Sequence, residues 1–139
     1  MHAFAFVGER PSVRATQIGA TWENGRLAGK TLRDTLASLQ IDPDRQCYLN
    51  LYKMPRRSDR DPRDEEEAIA QIRRLQTDGY TIVGMGQIVC RRLDACGIPH
   101  LQLTHPAARG SIRRTEHYRA HARCVLVETR KLDAPCPGR

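Results

Sequence analysis

The sequence predicts an α/β protein, a three-layer α/β/α sandwich around a four-stranded, mostly parallel sheet. Three observations predict it. Four short apolar runs punctuate the chain of 139 residues, bounded by glycine, proline or charged side chains. The stretches between them carry apolar residues at helical spacing. Strand and helix alternate throughout, the order expected of a parallel sheet covered by helices on both faces.

The first strand is Ala3 to Val7, closed by Gly8 and stopped by Pro11 in the loop Glu9-Arg10-Pro11-Ser12. Residues 13–26 are polar, with Gly19 and Gly25, and are predicted as a long surface loop. From Ala28, the residues Leu32, Leu36 and Leu39 recur at helical spacing and predict a helix to about Gln40. Asp42-Pro43-Asp44 is a turn, and Cys47 to Tyr52 is the second strand, with Lys53 at its end. Residues 54–64 are charged, contain two prolines and form a loop. Glu65 to Asp78 places Ala68, Ile69, Ile72 and Leu75 on one helical face, and its acidic start suits the helix dipole. Thr81 to Val83 is a strand entering Gly84-Met85-Gly86, followed by a helix from Gln87 to Ala95 that stops near Gly97. His100 to Leu103 is the fourth strand, delivering Thr104-His105-Pro106, and Ser111 to Glu128 is the last helix. Residues 1–132 make one domain, and the tail 133–139, with two prolines and a glycine, is expected to be disordered.

A chain of this size buries roughly two-thirds of the surface its unfolded form exposes, so it needs neither a disulfide nor a metal staple. Hydrophobic residues make up 40% and charged residues 28%, the balance of a soluble globular protein. The net charge is +7 and the pI about 9.6, which points to a polyanionic partner through counterion release. Arginine carries most of that charge beside three lysines (Lys30, Lys53 and Lys131), favouring bidentate phosphate contacts. A basic protein without such a partner is the plainer alternative. One tryptophan and 5% aromatic residues leave no obvious platform for stacking single strands. No run approaches the roughly 18 apolar residues of a membrane span, and the start lacks the basic region of a signal peptide. Five scattered cysteines without a C-x-x-C pair argue against zinc and for reduced thiols. The expectation is a cytoplasmic monomer with no metal, cofactor or membrane partner.

In a parallel sheet of this kind ligands bind beyond the carboxyl ends of the strands. Those ends are Gly8-Glu9-Arg10-Pro11, Asn50 to Lys53, Gly84-Met85-Gly86 and Thr104 to Ala107. A carboxylate, a carboxamide, a glycine-flanked turn and an imidazole therefore converge. Such a set suits chemistry on a nucleobase. The carboxylate orients water or stabilises a cation at the sugar C1′, the carboxamide pairs with a base edge, and the imidazole donates to an oxygen gaining charge. The glycines permit close backbone approach. Each residue also has a reading without function: Glu9 as a solvated loop carboxylate and His105 as a loop residue. Asn50 resists this, because a buried carboxamide needs partners. His100, His117 and His121 read as surface or helix positions.

Gly8-Glu9-Arg10-Pro11-Ser12 resembles the G-E-x-P-G motif of the iron–sulfur type uracil-DNA glycosylases, and Leu49 to Lys53 resembles their T-N-x-V-K strand. Gly25 to Gly29, followed by Leu32, is similar to their G-x-P-F-V-G segment, and His105-Pro106-Ala107-Ala108-Arg109 to their H-P-S/A motif. The likeness runs in order from about Phe4 to Leu126. It implies the uracil-DNA glycosylase superfamily, a parallel four-stranded sheet and a pocket for a nucleotide flipped out of DNA. It implies catalysis by Glu9 and His105, base binding by Gly8, Arg10, Leu27 and Asn50, and nucleic-acid contacts by Lys53, Gly84, Gly86, Arg109, Arg113 and Arg114. The chain departs from the family at Leu27, where phenylalanine is usual, at Arg10, at Ser12, and in lacking the four cluster cysteines.

The first functional expectation is thus a DNA glycosylase-like hydrolase that releases uracil or a modified base from single- or double-stranded DNA. The second is a nucleobase- or DNA-binding module that cleaves nothing. The third is an enzyme acting on free nucleotides, with Arg10 and Lys53 holding a phosphate.

Overall fold

The run Phe4–Gly8 has no polar alternation because its strand, β1, lies inside the sheet with all five residues buried. The computed structural model describes residues 3–107 and 115–128. β1 pairs in parallel with β2 (Cys47–Asn50) on one side and β3 (Thr81–Met85) on the other. β4 (Leu101–Leu103) pairs in parallel with β3, giving the order β2-β1-β3-β4. All four strands are parallel, as the alternation of strand and helix predicts.

The side chains of β1 alternate between the two cores. Phe4 and Phe6 pack with Leu32 and Leu36 of α2 (Ala28–Ser38) and with Tyr118 and Ala122 of α5 (Thr115–Ala122). Ala5 and Val7 face the other way, toward Ala68 and Ile72 of α3 (Pro62–Thr77) and Val89 and Leu93 of α4 (Gln87–Ala95). Helices on both faces make the three layers. From β1 the chain crosses to β2 on one side, and from β3 to β4 on the other. The loops after β1 and β3 therefore part in opposite directions, the place where such sheets open a crevice.

Several boundaries differ from expectation. Residues 13–18 are not loop but a short helix, α1 (Val13–Ile18). Ser12 caps its start by accepting from the Ala15 N–H, and Gly19 ends it in a left-handed conformation at φ 70°. β2 ends at Asn50, two residues early, although the Leu51 and Tyr52 N–H groups still donate to the carbonyls of Gly8 and Glu9. α3 starts at Pro62 rather than Glu65, since proline is at home in a first turn and Asp61 caps it. The preceding loop contains a 3-10 turn, Arg57–Asp59. β3 extends through Gly84 to Met85, and β4 begins at Leu101 rather than His100. α5 runs on into a π-helical turn, Arg123–Glu128. The expected start of this last helix at Ser111 and the tail 133–139 lie outside the described residues.

Candidate functional site

A pocket of about 400 Å³ opens at the carboxyl ends of the strands, with Arg10, Trp22, Leu27, Asn50, Pro55 and His105 on its walls. Its shape depends on a loop that sequence reasoning passed over. Thr21 and Asn24 cap each other through reciprocal backbone–side-chain bonds of 3.0 and 3.1 Å, and Asn24 also donates to the Gly19 carbonyl at 2.8 Å. Arg26 ties the loop back to α1 by donating to the Ile18 carbonyl at 2.8 Å. α2 then rests on this loop without a side chain between them. A Cβ on Gly29 would stand 2.7 Å from the Thr21 carbonyl oxygen. The result is a fixed Trp22, whose indole N–H donates to Asn50 Oδ1 at 3.1 Å.

That bond fixes which way the Asn50 carboxamide points. Oδ1 accepts from the indole, which leaves the Nδ2 amide as the donor end. Gly8 makes room for the pair, since a Cβ there would lie 2.6 Å from Asn50 Oδ1 and 3.1 Å from the indole ring. Leu27 sits at the mouth, 44% exposed, and caps α2 with a positive φ of 54°. In a residue other than glycine that backbone costs of order 1–3 kcal/mol, a strain that gathers at ligand sites.

His105 follows β4 and meets Trp22 edge-on, ring centroids 5.8 Å apart. Its Nδ1 accepts from the Ala107 N–H at 3.0 Å, which puts the imidazole proton on Nε2. Burial lowers the imidazole below the usual histidine value, against the pull of the Glu9 charge. The ring is thus neutral, with one N–H to donate. α5 holds the strand end beneath it. His121 Nε2 accepts from the Thr104 N–H at 3.0 Å, and the Tyr118 hydroxyl donates to the Thr104 carbonyl at 2.7 Å.

Glu9 stands beside the pocket but not on its wall. Oε2 accepts from Arg10 Nε at 3.0 Å and from Arg57 Nε at 3.2 Å, and Oε1 from Arg57 Nη2 at 3.4 Å. Arg10 takes the wall position instead, its guanidinium 4.7 Å from the centre of the Tyr52 ring. Tyr52 in turn donates to the buried carboxylate of Glu65 at 3.2 Å, and Arg92 Nε holds that carboxylate at 2.6 Å. A chain of contacts thus runs from the α3–α4 side of the sheet to Glu9.

Arg10, Leu27, Asn50 and His105 therefore meet at one pocket, with Glu9 next to it and Gly8 behind Asn50 and Trp22 rather than on the wall. The nucleic-acid residues fare differently. Lys53 is turned outward onto α3, donating to Glu67 at 3.0 Å, so it does not join Arg10 around a shared anion. The hydrogen bond to Glu67 raises its pKa. Gly84 lies within β3, not at its end; its missing Cβ would be 2.9 Å from Cys90 Sγ, so it serves the packing of α4. Gly86, at φ 95°, starts α4 beside His105. Arg109, Arg113 and Arg114 lie outside the described residues. Trp22, Tyr118 and His121 were missed. Their signal was weak, because Trp22 stands in a polar loop and His121 looks like one more helical histidine.

Among the described residues no three potential metal ligands cluster, and Cys47, Cys90 and Cys96 are free thiols. Burial pushes the Cys90 thiol up to about 11, away from reactivity. Among the described residues no helix is long and apolar enough to cross a membrane. Set beside known proteins, the chain matches no family model and no curated sequence.

Proposed function

We propose that the pocket takes a nucleobase turned out of a DNA strand and that the protein hydrolyses the N-glycosidic bond joining that base to its sugar. One observation carries this: a neutral imidazole with its proton on Nε2 shares a pocket wall with an oriented carboxamide. As the C1′–N bond breaks, electrons flow onto the base and its carbonyl oxygen gains charge. An N–H donor already in place strengthens its bond as that charge grows, and it needs no reorganisation. The Nδ2 amide of Asn50 donates to an acceptor on the base edge. The Glu9 carboxylate, held beside the pocket by Arg10 and Arg57, orients the water that attacks C1′. Water adds its oxygen to C1′, and a proton is left for the departing base. The expected outcome is that Glu9→Gln and His105→Ala each cut base release by more than ~10²-fold, the scale of a positioned acid–base group. Uracil- and modified-base oligonucleotides scored for abasic sites provide the measurement, and a wild-type protein that leaves all of them intact would sink hydrolysis.

A second reading has its own support. Glu9 is off the wall and shared between two arginines, which suits recognition without cleavage. Salt-sensitive oligonucleotide binding that creates no alkali-labile site would favour it.

A further inference from the structure

We infer that the pocket receives an acidic group, a carboxylate or phosphate carried by the part of the ligand that enters it, and that Arg10 is the residue that meets it. The inference rests on the base-pocket reading above and narrows its ligand class. The first ground is the charge of the wall. Arg10 and Arg26 line the pocket, and among the described residues no Asp or Glu does. The nearby carboxylate does not cancel them, because Glu9 is shared between Arg10 and Arg57 and that trio keeps one positive charge in excess.

The second ground is the state of Arg10 itself. Its side chain is only 10% exposed, yet among the described residues it forms one hydrogen bond, from Nε to Glu9. Nη1 is shut away from solvent and has no partner there. A buried guanidinium N–H without an acceptor is costly, and a charged acceptor is the strongest remedy. The Tyr52 ring beneath the guanidinium supplies attraction but no lone pair in the plane of those N–H groups.

Burial also locates the anion. A backbone phosphate passing over the surface would meet Arg57, whose side chain is 69% exposed, before it met Arg10. The group that reaches Arg10 has to come in with the ligand. Two sources share that chemistry: an acidic substituent on the base, or the phosphate of a nucleotide that enters whole.

The test is calorimetric titration of the full chain with four probes: uracil, 5-carboxyuracil, deoxyuridine and deoxyuridine 5′-monophosphate. The expected result is that one acidic probe binds roughly 10- to 100-fold tighter than its neutral parent, the scale of a charge-assisted bond. A gain for 5-carboxyuracil places the acid on the base, and a gain for the monophosphate places it on the sugar. Arg10→Gln should collapse whichever ratio is raised, whereas Arg74→Gln, an exposed position on α3 away from the pocket, should preserve it. Ratios near one in the wild type, with the neutral probes still bound, overturn the acidic subsite and leave the base pocket standing. A raised ratio that survives Arg10→Gln overturns the assignment to Arg10. Failure of all four probes to bind overturns both readings. Should Arg10→Gln not fold, Arg10→Lys keeps the charge without the planar fork and is expected to lower the raised ratio.

Discussion

Gly8 is where a single missing side chain shapes the pocket. Its hydrogen leaves the space in which Asn50 and Trp22 pair, and a methyl group would collide with both. Gly8→Ala is expected to cost about 1–3 kcal/mol, as small-to-large changes in packed sites do. Because the chain has one tryptophan, its fluorescence reports the event directly: emission should shift to the red as the indole leaves Asn50 for water. Unchanged emission would mean that the pair adapts. The two site histidines set a pH dependence in the same residue-level terms. Burial lowers both His105 and His121, so the folded state holds them neutral more firmly than the unfolded chain does. Their contribution to stability is therefore complete above the ordinary value of 6.5 and is lost as pH falls below it toward the lowered folded values. Denaturant midpoints measured from pH about 7.5 down to about 5 should fall, with less fall in His105→Gln. Of the residues on the wall, Asn50, Arg10 and His105 were legible because each ends an apolar strand or follows one within two residues. Trp22 was not, because its place depends on a contact with Asn50 across 28 positions of chain.

At the scale of elements, α5 acts as a brace for the end of β4. It takes both backbone groups of Thr104, the N–H on His121 and the carbonyl on Tyr118, one residue before His105. Tyr118→Phe keeps the ring in its core and removes one bond. The expected loss is about 1 kcal/mol, together with a His105 imidazole whose ¹⁵N shifts no longer report a single Nε2–H tautomer. Wild-type shifts in the variant would show that the brace is not needed. α1 teaches a different lesson about legibility. Its Ser12 cap and Gly19 stop are both visible in the sequence, yet the helix has six residues, none of them buried. A helix without an apolar stripe gives periodicity nothing to detect. The longer helices α2 and α3 were found because Leu32, Leu36, Ala68 and Ile72 recur at the spacing that a sheet face demands.

For the whole molecule, charge sets the expectation. A net +7 on a small domain should make oligonucleotide affinity fall steeply with salt, with a log–log slope of several units. A flat salt dependence would point to a small-molecule ligand in place of a strand. The class of fold and its layers follow from the sequence alone, because the burial of both sheet faces writes itself into local patterns: apolar strands, one-sided helices, and turns of glycine and proline. The convergence of Asn50 and His105 on strand ends follows too, once the strands are parallel. What only the tertiary structure decides is partnership. It gives the Asn50 oxygen to Trp22, turns Lys53 onto α3, lays Gly84 under α4, braces Thr104 from α5, and sets Arg10 rather than Glu9 on the pocket wall. The reason is physical. Backbone pattern is a short-range property that neighbouring residues dictate, whereas a side chain's partner is chosen among groups brought close by the whole fold. No spacing along the chain encodes that choice.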